Sequence, residues 1–106
     1  MKKNRRAFIF VNNEEAGVLE ETNFGYRFIY TDEYISKGIP ISMSMALTTK
    51  VYESKKLFSF FKGLLPEGWY LDIVSQTLKI DRNDEFGILL ATCKDTIGAV
   101  RIEEIK

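Results

Sequence analysis

Three carboxylates crowd into "DRNDEFG": Asp81, Asp84 and Glu85. Such a group has the residue types for acid–base work. The same spacing also serves structure, because an aspartate just ahead of an apolar run caps a helix and the others sit in solvent. What would turn the cluster into an active centre is missing. The chain has no histidine, which removes Ser-His-Asp and Cys-His catalysis and imidazole metal ligation together. Cys93 is the single cysteine, so neither an internal disulfide nor a thiolate metal set can form. Near the end of an apolar stretch and without a base beside it, Cys93 reads as a small buried hydrophobe. Neither G-x-x-x-x-G-K-[ST] nor G-x-G-x-x-G occurs, so no phosphate-cradling loop is expected. "DEFG" at 84–87 touches the kinase D-F-G tripeptide only by chance, since Glu85 precedes Phe86 and no H-R-D loop exists. The expectation is a non-enzyme, with no catalytic residue, cofactor or metal ligand assigned.

Binding chemistry is better represented. "FFKGLLPEGWYLDIV", residues 60–74, puts the only tryptophan directly behind Pro66-Glu67-Gly68. Tryptophan is usually largely buried, and on residue type Trp69 belongs in a core. Position argues otherwise: a chain break lies at the surface, and an aromatic projecting from the first turn of the next helix is what a binding anchor looks like. The two readings weigh evenly on the residues alone. Pro66, Glu67, Gly68, Trp69 and Tyr70 are the candidate partner-binding residues.

The elements that would hold this stretch follow from periodicity. "AFIFV" (7–11) reads as a buried strand, "NNEEAG" as a turn, and Val18-Leu19-Glu20-Glu21 as a second strand. "FGYRFIY" (24–30) alternates Phe24, Tyr26, Phe28 and Tyr30 against the other face. "TDEYISKGIP" reads as a loop with room for one helical turn. "ISMSMAL" (41–47) alternates again and predicts a fourth strand, and "GAVRIEEI" predicts a last one over 98–104. Between them the period turns helical, giving helices over 57–64, 69–79 and 84–93, the first stopped by Pro66 and the last started by Asp84. Glu67 stands where a carboxylate suits the positive end of a helix dipole. The predicted core includes Phe10, Phe28, Phe61, Ile73, Val74, Leu89 and Leu90. Strands, then helices, then a returning strand make this α+β, one domain over 1–106.

Fifteen basic residues balance fifteen acidic ones, so there is no electrostatic case for direct nucleic-acid binding. The run Lys2-Lys3-Asn4-Arg5-Arg6 reads as a solvated, partly frayed terminus. No apolar run is long enough to span a bilayer and "AFIFV" is too short for a signal peptide, so a cytoplasmic protein without membrane contact is expected.

Three stretches in order, "ISMSMAL", "FFKGLLPEGW" and "DEFGILLATCKDTIGAV", resemble the N-terminal subdomain of HipA-like toxin kinases. That family runs as a serine-alternating segment, a phenylalanine pair leading into L-L-P-[ED]-G, then D-x-F-x-L-L and D-x-x-G-A-[VL]. Residues 41–47, 60–69, 84–90 and 95–100 carry the match; Ala46 departs from it, where the family commonly has proline. HipA kinases are several times longer, and a free-standing copy of this subdomain looks like the HipS antitoxins of tripartite HipBST toxin–antitoxin systems. The resemblance implies a partner, the serine/threonine kinase toxin HipT, neutralised by this chain; the placement of Trp69 behind the break adds the expectation that this residue inserts into or beside the kinase active site. It also implies a HipB-like DNA-binding protein in a ternary complex, and a kinase target among the aminoacyl-tRNA synthetases. The alternative is a split-off subdomain that completes a HipA-like kinase fold without inhibiting it.

Overall fold

Asn12 and Asn13 hold φ of 51° and 65°, the left-handed conformation that asparagine tolerates and a two-residue hairpin needs. In the computed structural model, which describes residues 4–94 and 99–105, this turn joins β1 (Arg6–Val11) to β2 (Glu14–Thr22). A second turn leads into β3 (Gly25–Tyr30). There the Thr22 hydroxyl accepts hydrogen bonds from the amides of Phe24 and Gly25, at 3.2 and 3.0 Å. Gly25 is obligatory, because a Cβ there would stand 2.2 Å from the Ser54 carbonyl oxygen. Ser54 ends β4 (Val51–Ser54), and β5 (Val100–Ile105) pairs with β1. The sheet is antiparallel throughout, in the order β4-β3-β2-β1-β5.

Among the described residues, four short helices complete the α+β fold. They are α1 (Asp32–Ser36), α2 (Ser59–Lys62), α3 (Gly68–Leu78) and α4 (Glu85–Thr92). The core lies between helices and one face of the sheet, where Ala7, Ile9, Leu19, Phe28 and Tyr30 are fully buried. Each helix but α3 contributes an aromatic ring to that face. Tyr34 stacks on Tyr30 at 5.9 Å, Phe61 meets Phe28 at 5.8 Å, and Phe86 stacks on Tyr26 at 6.2 Å. Aromatic pairs of this kind contribute about 1 kcal/mol each beyond the area they bury.

Several expectations need correction. Residues 41–47 form no strand. Tyr30 and Tyr52 pin the segment instead. The Tyr30 hydroxyl donates to the Met45 carbonyl at 2.5 Å and accepts from the Ile41 amide at 3.1 Å; the Tyr52 hydroxyl donates to the Ala46 carbonyl at 2.6 Å. Its alternation is that of a loop threaded along the core edge, with Met45 buried and Met43 98% exposed. The fourth strand lies at 51–54, where "VYES" is too short and polar to announce itself. The single helical turn allowed for in "TDEYISKGIP" is present as α1, capped by the Thr31 hydroxyl on the Tyr34 amide. The helix expected over 57–64 contracts to 59–62. Of the predicted core, Phe28, Phe61, Val74 and Leu89 are buried and Leu90 is half-buried, but Ile73 is 46% exposed. Phe10 lies on the opposite face of the sheet, beneath the Arg101 guanidinium at 4.1 Å from its ring centroid. Phe24 is exposed in its turn instead of joining the aromatic face. Residues 95–98 of the last resemblance stretch lie outside the described residues.

Candidate partner-docking site

The chain leaves α2 through Leu64 and Leu65, passes Pro66, and reaches Glu67 in an extended conformation with φ −129°. Gly68 then takes φ +56°, a left-handed value that a side chain disfavours by about 1 kcal/mol. Beyond its own chain neighbours and the backbone of its own helix, no atom of the described residues lies within 4 Å of where its Cβ would be, so backbone conformation alone selects glycine. Glu67 is the N-cap of α3, yet its side chain makes no capping hydrogen bond. Its carboxylate is left to the dipole and to solvent.

This geometry throws the first turn of α3 outward. Trp69 is 74% exposed and Tyr70 55%, with their rings edge to face at 6.3 Å. Ile73, one turn on, extends the same apolar patch. The inward side of α3 is thin: Val74 is buried and Leu71 half-buried. The far end is locked: Lys79 adopts the left-handed conformation, and the Ile80 amide returns to the Ser75 carbonyl at 3.0 Å. An ion pair between Arg82 and Asp72 straps the following loop to the helix. The five candidate residues are therefore brought together as one protrusion, with Pro66 half-buried at its base and Glu67, Gly68, Trp69 and Tyr70 exposed. Beside it runs a groove of about 320 Å³ between Leu65, Pro66 and Leu71 on one side and Arg82, Glu85 and Ile88 on the other.

Two of the three carboxylates considered for catalysis, Asp84 and Asp81, have structural roles. Asp84 caps α4 by accepting from the Gly87 amide at 3.1 Å, and Asp81 accepts from the Asn83 amide at 2.8 Å. Asp84 is also gripped by Arg5 at 2.7 Å, and the same guanidinium bonds Glu21 at 2.7 and 3.0 Å. Arg5 is thus far from a frayed terminus: it ties β2 to the start of α4, above the Phe86 ring at 5.4 Å. Its hydrogen bonds to Glu21 and then Asp84 hold its pKa above the usual arginine value. A Cβ on Gly87 would lie 2.3 Å from the Asp84 carboxylate, so the glycine of "DEFG" exists to admit the cap. Cys93 is fully buried, and burial raises its thiol pKa, which makes it a poor nucleophile. Among the described residues no cluster of three or more His, Cys, Asp or Glu could hold a metal ion, and no helix is long and apolar enough to cross a membrane.

Sequence reasoning missed Ile73 as part of the patch, although its place one turn after Trp69 was the available signal. It missed Arg5 for lack of any signal: its partners lie 16 and 79 residues away.

Residues 7–103 match the family model described as the HipA N-terminal domain. An uncharacterized protein of Haemophilus influenzae is 35% identical over 102 residues, which span 96% of this chain and 94% of that protein. A solved structure described as the N-terminal domain of HipA toxin superposes with a TM-score of 0.78 at 30% identity, covering 100% of this chain and 97% of that one.

Proposed function

The chain belongs to the HipA N-terminal domain family, and from that premise we propose that it is an antitoxin that binds and neutralises a HipA-like serine/threonine kinase, HipT. The observation that carries this reading is the exposure of Trp69 on a rigid helix start, at 74%, with Tyr70 and Ile73 beside it. A folded chain gains nothing by holding its largest aromatic in water, whereas a partner cleft recovers the burial of that ring. Trp69 enters the cleft at or beside the kinase active site, and Pro66, Glu67, Gly68 and Tyr70 form the surrounding contact. The chain itself is not an enzyme; it acts by occupancy, in the cytoplasm. With zero formal net charge it joins DNA only through a HipB-like protein in the same complex.

The experiment is a kinase assay with the purified HipA-like kinase, with ATP and magnesium, titrated with wild-type chain and with Trp69→Ala. Wild type lowers kinase activity. The variant keeps its melting temperature within about 2 °C, as an exposed substitution should. Its inhibition weakens roughly 30-fold, the equivalent of about 2 kcal/mol at an interface hot spot. A variant that inhibits at wild-type potency removes Trp69 from the interface. Stimulation by the wild type would favour the other reading, a split-off subdomain that completes the kinase fold.

A further inference from the structure

The helices occupy one face of the sheet. On the other, strand register aligns two straight rows of side chains. One row is apolar and crosses four strands: Val51 pairs with Ile29, Ile29 with Val18, and Val18 with Phe8. Val51 is 45% exposed and the other three are half-buried. The row beside it is charged, reading Glu53, Arg27, Glu20, Arg6. Arg27 bonds Glu53 at 3.0 Å and Glu20 at 3.2 Å. Arg6, the terminal cation, is exposed and has no ion-pair partner among the described residues.

We propose that this open face is a weak two-fold interface between two copies of the chain. The order of the charges favours a second copy. A row that runs minus, plus, minus, plus becomes plus, minus, plus, minus when reversed. A two-fold axis parallel to the strands, between β2 and β3, reverses the row and turns the faces together. It sets Glu53 opposite Arg6 of the second copy and Arg27 opposite its Glu20, so every charge meets its opposite. The same operation lays Val51 over Phe8 and Ile29 over Val18, apolar on apolar. Aligned face-to-face packing of this kind is how antiparallel sheets normally cover one another. An external partner of either net charge would meet two like charges in this row, whereas a second copy meets none.

The area sets the strength. Four strands about 4.8 Å apart and two to three side-chain rows about 7 Å apart give on the order of 300–400 Å² per copy. A standard interface takes roughly 800 Å² per partner, so association is weak, with a dissociation constant on the order of 10⁻⁴ M. This face is separate from α3, and the proposal stands or falls independently of the antitoxin reading.

The test is sedimentation velocity and amide NMR of the whole chain from about 10 μM to about 1 mM, a range that brackets that constant. The expected result is a concentration-dependent dimer, with shift changes on β1 to β4 and not at Trp69 or Tyr70. Arg6→Glu and Glu53→Arg each weaken association at least about tenfold, as expected for like charges brought face to face. Both positions are exposed, so both variants fold. The double variant Arg6→Glu/Glu53→Arg restores the dimer, because the swapped charges again oppose each other across the axis. A monomer throughout the range overturns the proposal. So does a dimer whose shifts map to α3, or a double variant as weak as its parents.

Discussion

Arg5 and Arg6 are neighbours with opposite fates. Arg5 turns inward to Glu21 and Asp84, while Arg6 points from the open sheet face into solvent. Burying the Glu21 side chain, only 1% exposed, is tolerable because charged hydrogen bonds replace its hydration. Arg5→Met should therefore cost about 3 kcal/mol, since it strips side-chain hydrogen bonds from a buried carboxylate and loosens the cap of α4. In a domain of this size that is a fall of roughly 15 °C in melting temperature. Arg6→Met should stay within about 0.5 kcal/mol. Thermal melts of the two variants, run side by side at low micromolar concentration, check the contrast; equal losses would mean that the Arg5 cluster does not anchor the helix. Trp69 belongs to the same scale: its type argues for the core, its neighbours Pro66 and Gly68 for the surface, and the structure sides with the neighbours.

At the level of elements, the segment 41–47 shows how periodicity misleads. Its apolar residues recur every second position, as in a half-buried strand, yet tyrosine hydroxyls take the carbonyls of Met45 and Ala46 that a sheet ladder would have used. Tyr30→Phe removes a donor and an acceptor at once and should cost about 1–2 kcal/mol. Its local signature is sharper than its global one. Hydrogen exchange at the Ile41 amide should accelerate well beyond the global loss, while the Leu19 amide in the sheet tracks global stability only. Uniform acceleration at both would show that the loop opens only with the whole fold. The neighbouring helix α3 is the reverse case. Its period and its start are legible in "PEGWYLDIV", but which of its faces is covered is decided by tertiary packing, which buries Val74 and leaves Trp69 and Ile73 exposed.

For the whole molecule, the aromatic core couples stability to alkaline pH. Tyr26, Tyr30 and Tyr34 are buried, and burial is the first cause raising each phenol above the usual value near 10. The sign follows from which state keeps its protons. Below pH 10 both folded and unfolded chains are neutral at these positions, and the phenols leave stability undiminished. Above it the unfolded chain ionises while the folded one resists, so stability falls as pH rises toward the folded pKa values. Urea midpoints should be level from about pH 7 to 8, decline slightly toward about pH 9 as the thiol of Cys93, also raised by burial, ionises in the unfolded chain, and drop steeply beyond about pH 10. A midpoint that held through pH 11 would mean that the phenols ionise as freely in the folded chain as in the unfolded one.

Composition and local pattern by themselves determined that the chain folds as α+β, that Asp84 starts a helix, that "AFIFV" and most of "GAVRIEEI" are strands, and that Cys93 is buried. These depend on contacts within a few residues: period, capping and turn chemistry. The L-L-P-E-G-W and D-T-I-G-A-V elements likewise carried the family resemblance unaided. Tertiary structure decided the rest. Which face of an alternating strand is core is a two-fold choice that the partner layer makes, and it sent Phe10 outward beneath Arg101. The pinning of 41–47, the Arg5 bridge and the exposure of Trp69 and Ile73 all join residues distant in sequence, or depend on where the covering layer ends. The alternating charge row appears only once four strands are in register, because its members come from positions 6, 20, 27 and 53.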